Sequence, residues 1–135
     1  MSDPESTSLR AINLTEKLSQ FQEHWSPRIV GELNGQHVKL VKIQGEFVWH
    51  HHDTEDELFL VVKGGFYMEW RDPSADNQAR RTWVGEGEFF IMPRGVEHRP
   101  VADAEAHLLL FEPAGTLNTG SAAESVLTVR EPGRL

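Results

Sequence analysis

Short runs of apolar residues, separated by glycines and polar turns, follow one another from residue 38 onwards. Each run extends over five to seven residues, and no long helical pattern lies between them. Strands of this length at even spacing predict an all-β sandwich or barrel, whereas a parallel sheet of βαβ units requires intervening helices. The predicted strands are Val38–Ile43, Glu46–His52, Glu57–Val62, Phe66–Arg71, Arg80–Val84, Glu88–Met92 and His107–Phe111.

A helical pattern precedes these strands. Asn13 and Glu16 have the spacing of a capping box, in which each side chain binds a backbone N–H group at the start of a helix. Apolar residues then recur at helical spacing up to Trp25, and Pro27 predicts the end of the helix. We therefore predict an amphipathic helix over residues 12–26, preceded by a disordered polar tail over residues 1–11.

The same patterns divide the rest of the chain. The β-barrel is predicted over residues 27–116, where the strand-like runs lie. Residues 117–135 are predicted to form a C-terminal loop, a possible edge strand at Ser125–Arg130 and a loose tail.

One predicted strand is apolar on both of its faces. In Glu57–Val62, Phe59 and Val61 share one face, and Leu58 and Leu60 lie on the other. A strand with one face in water would alternate apolar and polar residues. We therefore expect the outer face to be covered by the N-terminal helix, by a second sheet or by another subunit, and a homodimer is the simplest of these interpretations.

Charge and composition exclude several classes of function. Acidic residues outnumber basic ones, 21 against 13, and the formal net charge is −8. This charge disfavours binding to nucleic acid or to an anionic membrane surface. The sequence has no cysteine, which excludes disulfides, zinc–thiolate sites and cysteine nucleophiles. Neither a leader peptide nor an apolar run of roughly 20 residues is visible, so we expect a cytoplasmic protein.

Histidines form the candidate chemistry. Three are consecutive, and in a strand His50 and His52 would share a face, about 7 Å apart, while His51 would point away. Glu57 opens the next predicted strand, and a hairpin would bring it back beside these histidines. His98 follows a turn much later in the chain. Three imidazoles and one carboxylate suit a first-row divalent metal ion and leave coordination positions open.

This pattern resembles the two sequence motifs of the cupin family. The first motif reads His, one residue, His, three or four residues, Glu, six residues, Gly, and residues 50–64 match it. The second reads Gly, five residues, Pro, one residue, Gly, two residues, His, and residues 87–98 match it. The matching positions are His50, His52, Glu57, Gly64, Gly87, Pro93, Gly95 and His98.

The resemblance implies a small, single-domain cupin: a double-stranded β-helix, or jelly-roll barrel, that is usually a homodimer. It also implies one divalent metal ion per chain (Fe, Mn, Ni, Zn or Cu), held by His50, His52, Glu57 and His98. Such an ion would act on a small-molecule substrate as a Lewis acid or in dioxygen chemistry, in an enzyme of the dioxygenase, isomerase or lyase type. The alternative is a non-catalytic barrel that binds or senses a small ligand or a metal. The sequence identifies no general acid or base, so the catalytic residues stay unassigned.

Overall fold

The computed structural model describes residues 9–135, which form one short helix and eight strands. A 3₁₀ turn, Pro73–Ala75, connects the fourth strand to the fifth. The elements are α1 (Leu14–Leu18), β1 (Arg28–Leu33), β2 (Gln36–Glu46), β3 (Glu57–Lys63), β4 (Gly65–Asp72), β5 (Gln78–Gly85), β6 (Phe89–Met92), β7 (His98–Pro113) and β8 (Gly133–Arg134).

The long strand β7 connects the two halves of the barrel. One of its edges pairs antiparallel with β2 along most of its length. Its other edge pairs with β4 through residues 98–101 and with β3 through residues 107–111. The pairs β1–β2, β4–β5 and β3–β6 complete the two halves, and they too are antiparallel. The predicted all-β jelly-roll barrel with a short N-terminal helix is therefore confirmed.

The hydrophobic core lies inside the barrel and takes residues from strands β2 to β7. In β3, Phe59 and Val61 are buried, whereas Leu58 and Leu60 on the opposite face are only partly buried. This alternation is the period-2 pattern of a pleated strand. The buried cluster consists of Val41, Ile43, Phe59, Val61, Phe66, Met68, Val84, Met92, Ala102, Ala106, Leu108 and Leu110.

The N-terminal helix begins as predicted but is much shorter than residues 12–26. The Asn13 side chain accepts a hydrogen bond from the Glu16 N–H, and the helix then ends at Leu18. Lys42 on β2 explains the early end, because its Nζ donates to the Phe21 carbonyl and its carbonyl accepts from the Trp25 N–H. Tertiary hydrogen bonds thus replace helical ones.

Residues 1–8 of the predicted tail lie outside the described residues. Among residues 9–135, no helix has the length and apolar character needed to cross a membrane.

Two other segments differ from the predicted strands. Regular pairing in β2 ends at Glu46, so the histidines lie in an extended loop instead of a strand over residues 46–52. The expected edge strand Ser125–Arg130 is absent from the described residues; Gly133 and Arg134 pair with β1 instead. Within that segment, the N–H of Val129 and the carbonyl of Leu127 bind the Asn118 side chain, which replaces strand pairing.

The apolar outer face of β3 is covered in part by the N-terminal segment. Val62 and Leu109 pack against a cluster that includes the buried residues Leu18 and Phe21. Further along the same face, Phe89 and Ile91 of β6 leave 61% and 55% of their surface exposed, so this part of the face has no cover within residues 9–135.

Candidate metal centre

The structure brings together four residues that the sequence singles out from three separate segments. His50, His52, Glu57 and His98 each direct one nitrogen or oxygen atom to a common point, and these atoms all lie within 4.8 Å of one another. All four side chains are buried. Two donors that each lie about 2.1 Å from an ion are at most about 4.2 Å apart. The cluster therefore has nearly the dimensions of a metal shell and could hold a divalent ion.

Backbone hydrogen bonds, and not a regular strand, hold His50 and His52 in place, whereas His98 is the first residue of β7. His50 and His98 form an isolated antiparallel bridge, with N–H to carbonyl distances of 3.0 and 2.8 Å. The His52 carbonyl accepts the N–H of Gly95, whose positive φ of 82° permits the tight turn before His98. The expected hairpin between the histidines and Glu57 is wrong: Glu57 pairs with Met92 of β6.

The outer ring nitrogens of two histidines fix which nitrogen faces the centre. His50 Nδ1 donates to the Val48 carbonyl and His98 Nδ1 donates to the Val96 carbonyl, both at 2.9 Å. In the neutral form of each ring, the Nε2 atom is therefore the unprotonated one and is free to coordinate. Metal-binding histidines commonly have this arrangement, because the second hydrogen bond fixes the tautomer and the ring orientation.

The donor atoms at the centre are close together but are not hydrogen-bonded. Glu57 Oε1 lies 2.9 Å from His52 Nε2 and 3.4 Å from His98 Nε2. These three buried atoms nevertheless have no partner of acceptable hydrogen-bond geometry within residues 9–135. Buried polar groups are rarely left unsatisfied in native proteins. Three unpartnered atoms that face one point are better satisfied by a metal ion than by hydrogen bonds among themselves.

The electrostatic environment keeps two of the donors, His50 and Glu57, in the forms that bind metals. Burial lowers the pKa of His50 to about 3, and the neighbouring His98 acts in the same direction, so the imidazole stays neutral. Burial alone would raise the pKa of the Glu57 carboxyl, but the imidazoles of His52 and His98 hold that pKa well below its usual range. Neutral imidazoles and an ionised carboxylate are the ligand forms that a divalent ion requires.

A second buried carboxyl beside this centre is absent from the sequence-based site. Lys39 Nζ donates to Glu112 Oε2 at 2.7 Å, and both side chains are 2% exposed. Burial and the adjacent Glu57 carboxyl raise the pKa of Glu112 well above its usual range. The sequence contained one signal for this pair, because Lys39 shares the inward face of β2 with Val41 and charged residues are seldom buried unpaired.

A small apolar cavity opens beside two of the four donors, His50 and Glu57. Its volume is about 40 Å³. His50, Glu57 and Glu112 supply polar groups to a wall that is otherwise mostly aromatic and aliphatic. Trp25, in a left-handed backbone conformation with φ of 60°, stacks on Phe47 at 4.7 Å and closes one side. The lining residues are Trp25, Pro27, Val41, Phe47, His50, Glu57, Phe59, Pro100, Leu108, Leu110, Glu112 and Asn118.

This geometry agrees with a family assignment from the sequence. The profile of the cupin domain family matches residues 37–112, which is more than half of the chain. The chain belongs to the cupin family. Both matched motifs, including all four donors, lie within that range, whereas the segment after Glu112 lies outside it.

The proteins similar to this cupin include a named enzyme as well as uncharacterised proteins. A cupin-2 domain protein of Shewanella frigidimarina is 41% identical, and its crystal structure matches 76% of this cupin and 94% of that chain with a TM-score of 0.70. The uncharacterised protein YdbB of Bacillus subtilis is 28% identical over 64% of this chain and 72% of its own length. Acireductone dioxygenase 4 of Oryza sativa subsp. japonica is 30% identical over 48% of this chain, which spans only 34% of that enzyme.

Proposed function

We propose that this cupin binds one divalent metal ion through His50, His52, Glu57 and His98 and acts as a small-molecule dioxygenase. The observation that supports this proposal best is the set of buried, unpartnered donor atoms that face one point. The similarity to a plant acireductone dioxygenase favours oxygen chemistry over isomerisation or lyase chemistry. When bound, the ion would supply Lewis acidity and, if it is a redox-active ion such as iron, electrons for reaction with dioxygen.

The chain's own residues would bind and shield the substrate. The donor set carries one negative charge, from Glu57, so an anionic oxygen of the substrate is favoured beside a divalent ion. The apolar wall formed by Trp25, Phe47 and Phe59 would exclude water from the reacting atoms. Glu112, which Lys39 fixes in position, offers a carboxyl group at the same cavity. These features favour a small substrate with an oxygen that can ionise and an apolar remainder.

Metal content tests the first part of the proposal. The protein should be purified without an affinity tag or chelator, and bound metals measured by plasma emission spectroscopy. We expect about one divalent ion per chain in the native protein and a large loss in His50→Ala and His98→Ala. His24→Ala is the control, because His24 lies on the surface and pairs with Glu105. Equal metal content in all four proteins would contradict the proposed ligand set.

Oxygen consumption tests the second part. The protein reconstituted with Fe²⁺ would be followed with an oxygen electrode in the presence of small enediols and catechols. We expect turnover with at least one of them and none with Glu57→Gln. Full metal loading without oxygen uptake for any compound would instead favour the non-catalytic alternative.

The size of the cavity favours that second candidate, a barrel that binds or senses a metal or a very small ligand. An engineered cavity of about 150 Å³ accommodates benzene, whereas this one measures about 40 Å³. A ring-sized substrate therefore requires side chains that line the cavity to move. A metal ion with a few water molecules does not.

We also propose that the protein is a homodimer that buries the exposed part of the outer face. Leu58 pairs with Ile91 and Leu60 with Phe89, so the four side chains form a continuous apolar patch across β3 and β6. Patches of this kind on soluble proteins commonly mark interfaces. Light scattering after size exclusion should report a dimer, and Phe89→Asp should yield a monomer while Val126→Asp, another exposed apolar position, should not. A cytoplasmic location stays a prediction from the sequence.

A further inference from the structure

The segment that follows β7 passes over the outside of the consecutive histidines. We call residues 117–121 the strap. Ser121 makes three hydrogen bonds to His51, each 3.0 Å long: its N–H donates to the His51 carbonyl, its Oγ accepts the His51 N–H, and its hydroxyl meets His51 Nδ1. His51 Nε2 also donates to Asp53 at 2.9 Å. The middle histidine, which points away from the metal donors, is thus the attachment point of the strap.

Gly120 brings the strap into direct contact with two of the proposed metal ligands. Its φ is +50°, a left-handed conformation that glycine adopts at little cost. A Cβ atom at this position would collide with the His51 carbonyl oxygen. It would also lie 3.0 Å from His50 Cδ2 and 3.1 Å from His52 Cε1, which are atoms of the two imidazole rings. The backbone of residue 120 therefore packs against both rings, and there is no room for a side chain.

Two polar side chains, the partly buried Asn118 and the buried Thr119, anchor the strap to the rest of the C-terminal segment. The Asn118 side chain accepts the Val129 N–H at 2.8 Å and donates to the Leu127 carbonyl at 2.7 Å. Thr119 is fully buried, and its hydroxyl bonds to that of Thr128 at 3.1 Å. Residues 117–129 thus form one hydrogen-bonded unit, so the position of the strap depends on the order of the whole unit.

We propose that the strap is a positioning element of the metal centre, with Gly120 and Ser121 as its positioning residues. This inference rests on the proposed metal site. The strap fixes the backbone of His51 and the ring orientations of His50 and His52, so that both rings keep their Nε2 atoms aimed at the common point. It lies outside residues 37–112, the region that matches the cupin domain.

Thermodynamic linkage makes the proposal reciprocal. If an ordered strap raises the affinity of the histidines for a metal, a bound metal must increase the order of the strap by the same free energy. Metal binding should therefore slow amide hydrogen exchange in residues 117–129 more than in the distant β4–β5 hairpin. Equal exchange rates in residues 117–129 with and without saturating metal would overturn the proposal.

Two alanine substitutions in the same loop separate ring contact from backbone strain. Gly115 also has a positive φ, of 87°, but a Cβ atom there would meet no atom within 4 Å. Gly115→Ala therefore has the strain without the collision. We expect Gly120→Ala to bind Co²⁺ at least about tenfold more weakly and to shift its visible absorption bands, which report ligand geometry. Gly115→Ala should match the unsubstituted protein in both measurements.

Ser121→Ala keeps the test decisive if Gly120→Ala fails to fold. It removes the two hydroxyl bonds to His51 without adding atoms, and we expect weaker Co²⁺ binding with an altered absorption spectrum. Unchanged affinity and spectrum in every folded strap variant would overturn the proposal, as would equal losses in Gly115→Ala and Gly120→Ala. If the unsubstituted protein binds no Co²⁺, Fe²⁺ or Zn²⁺, the metal site itself is wrong, and that failure is seen before any variant is made.

Discussion

Two groups of histidine and glutamate in this protein have similar composition and opposite character. In the surface group, Glu105 lies between two imidazoles: its Oε1 accepts from His24 Nε2 at 2.7 Å and its Oε2 accepts from His107 Nε2 at 2.9 Å. The Glu105 side chain is 44% exposed, and each of its oxygens has its own partner. In the buried group, two imidazole nitrogens approach the same oxygen of Glu57 without hydrogen-bond geometry.

The difference shows that residue types alone do not identify a metal site. The surface group satisfies its own hydrogen bonds and is partly exposed to solvent, so an added ion would have to displace existing partners. The buried group has donor atoms that the protein leaves unsatisfied, at a place where water is largely excluded. A metal site is therefore indicated by donor atoms that converge on one point and lack hydrogen-bond partners, and this property should separate the two groups experimentally.

The largest expected effect is the loss of stability when the buried ion pair between Lys39 and Glu112 is broken. Lys39→Met should lower the free energy of unfolding by about 3 kcal/mol, because it leaves Glu112 buried without its partner. The double variant Lys39→Met with Glu112→Leu should recover much of this loss. Urea denaturation of the metal-free proteins measures both. If Lys39→Met is as stable as the unsubstituted protein, burial of the Glu112 carboxyl without Lys39 carries no cost in stability.

Removal of one carboxylate from each group should have unequal effects on metal binding. Glu57→Gln removes a donor and its charge, and we expect the affinity for Co²⁺ to fall by at least about 100-fold, since even residues that only support a ligand often account for 10–100-fold. Glu105→Gln should leave the affinity unchanged. Isothermal titration calorimetry with Co²⁺ compares the two. A comparable loss in Glu105→Gln would remove the distinction between the groups.

The two groups should also lose stability in different pH ranges. Burial lowers the pKa of His50 from 6.5 to about 3, so the unfolded chain binds more protons between these values and the metal-free protein should become less stable as the pH falls from about 6.5 towards 3. Hydrogen bonds from His24 and His107 lower the pKa of Glu105 from 4.5 to about 2, so its contribution is lost only below about pH 4.5. Denaturation midpoints measured across this range, with His50→Ala and Glu105→Gln as controls, should resolve both. A midpoint independent of pH between 6.5 and 4.5 would contradict the first expectation.

The smallest effect should come from the surface group alone. Glu105→Gln should change the free energy of unfolding near neutral pH by less than about 1 kcal/mol, because exposed ion pairs contribute little and are screened by salt. The change should shrink further in 1 M salt. A loss of several kcal/mol would show that the surface group is a structural element of the same importance as the buried one.

The sequence predicted the convergence of the four donors better than it predicted their local structure. The spacing within residues 50–64 and 87–98 was enough to group His50, His52, Glu57 and His98. The backbone pairing that brings them together nevertheless differs from the predicted hairpin. His50 lies in a loop that forms a bridge with His98, and Glu57 pairs with Met92. Motif spacing records the family arrangement of donors, whereas pairing partners depend on segments that are far apart in the chain.

What the sequence did not predict consists mainly of long-range contacts. Lys39 and Glu112 are 73 residues apart, and His51 and Ser121 are 70 apart. No local pattern specifies such a pair. The helix was predicted too long for a related reason: Phe21 and Trp25 have helical spacing, but Lys42 on β2 takes their backbone groups as partners. Local propensity decided the start at Asn13, and tertiary contacts decided the end.

The 16-residue length of β7 has a consequence for how this protein can change over time. His98 and Glu112 occupy opposite ends of that strand, and both side chains are buried inside the barrel. Loss of one residue between Leu108 and Leu110 would reverse the pleat beyond it and turn the carboxyl towards solvent. In the regularly paired stretch from Ala106 to Glu112, a change in the number of residues should therefore be far more damaging than a change of side chain.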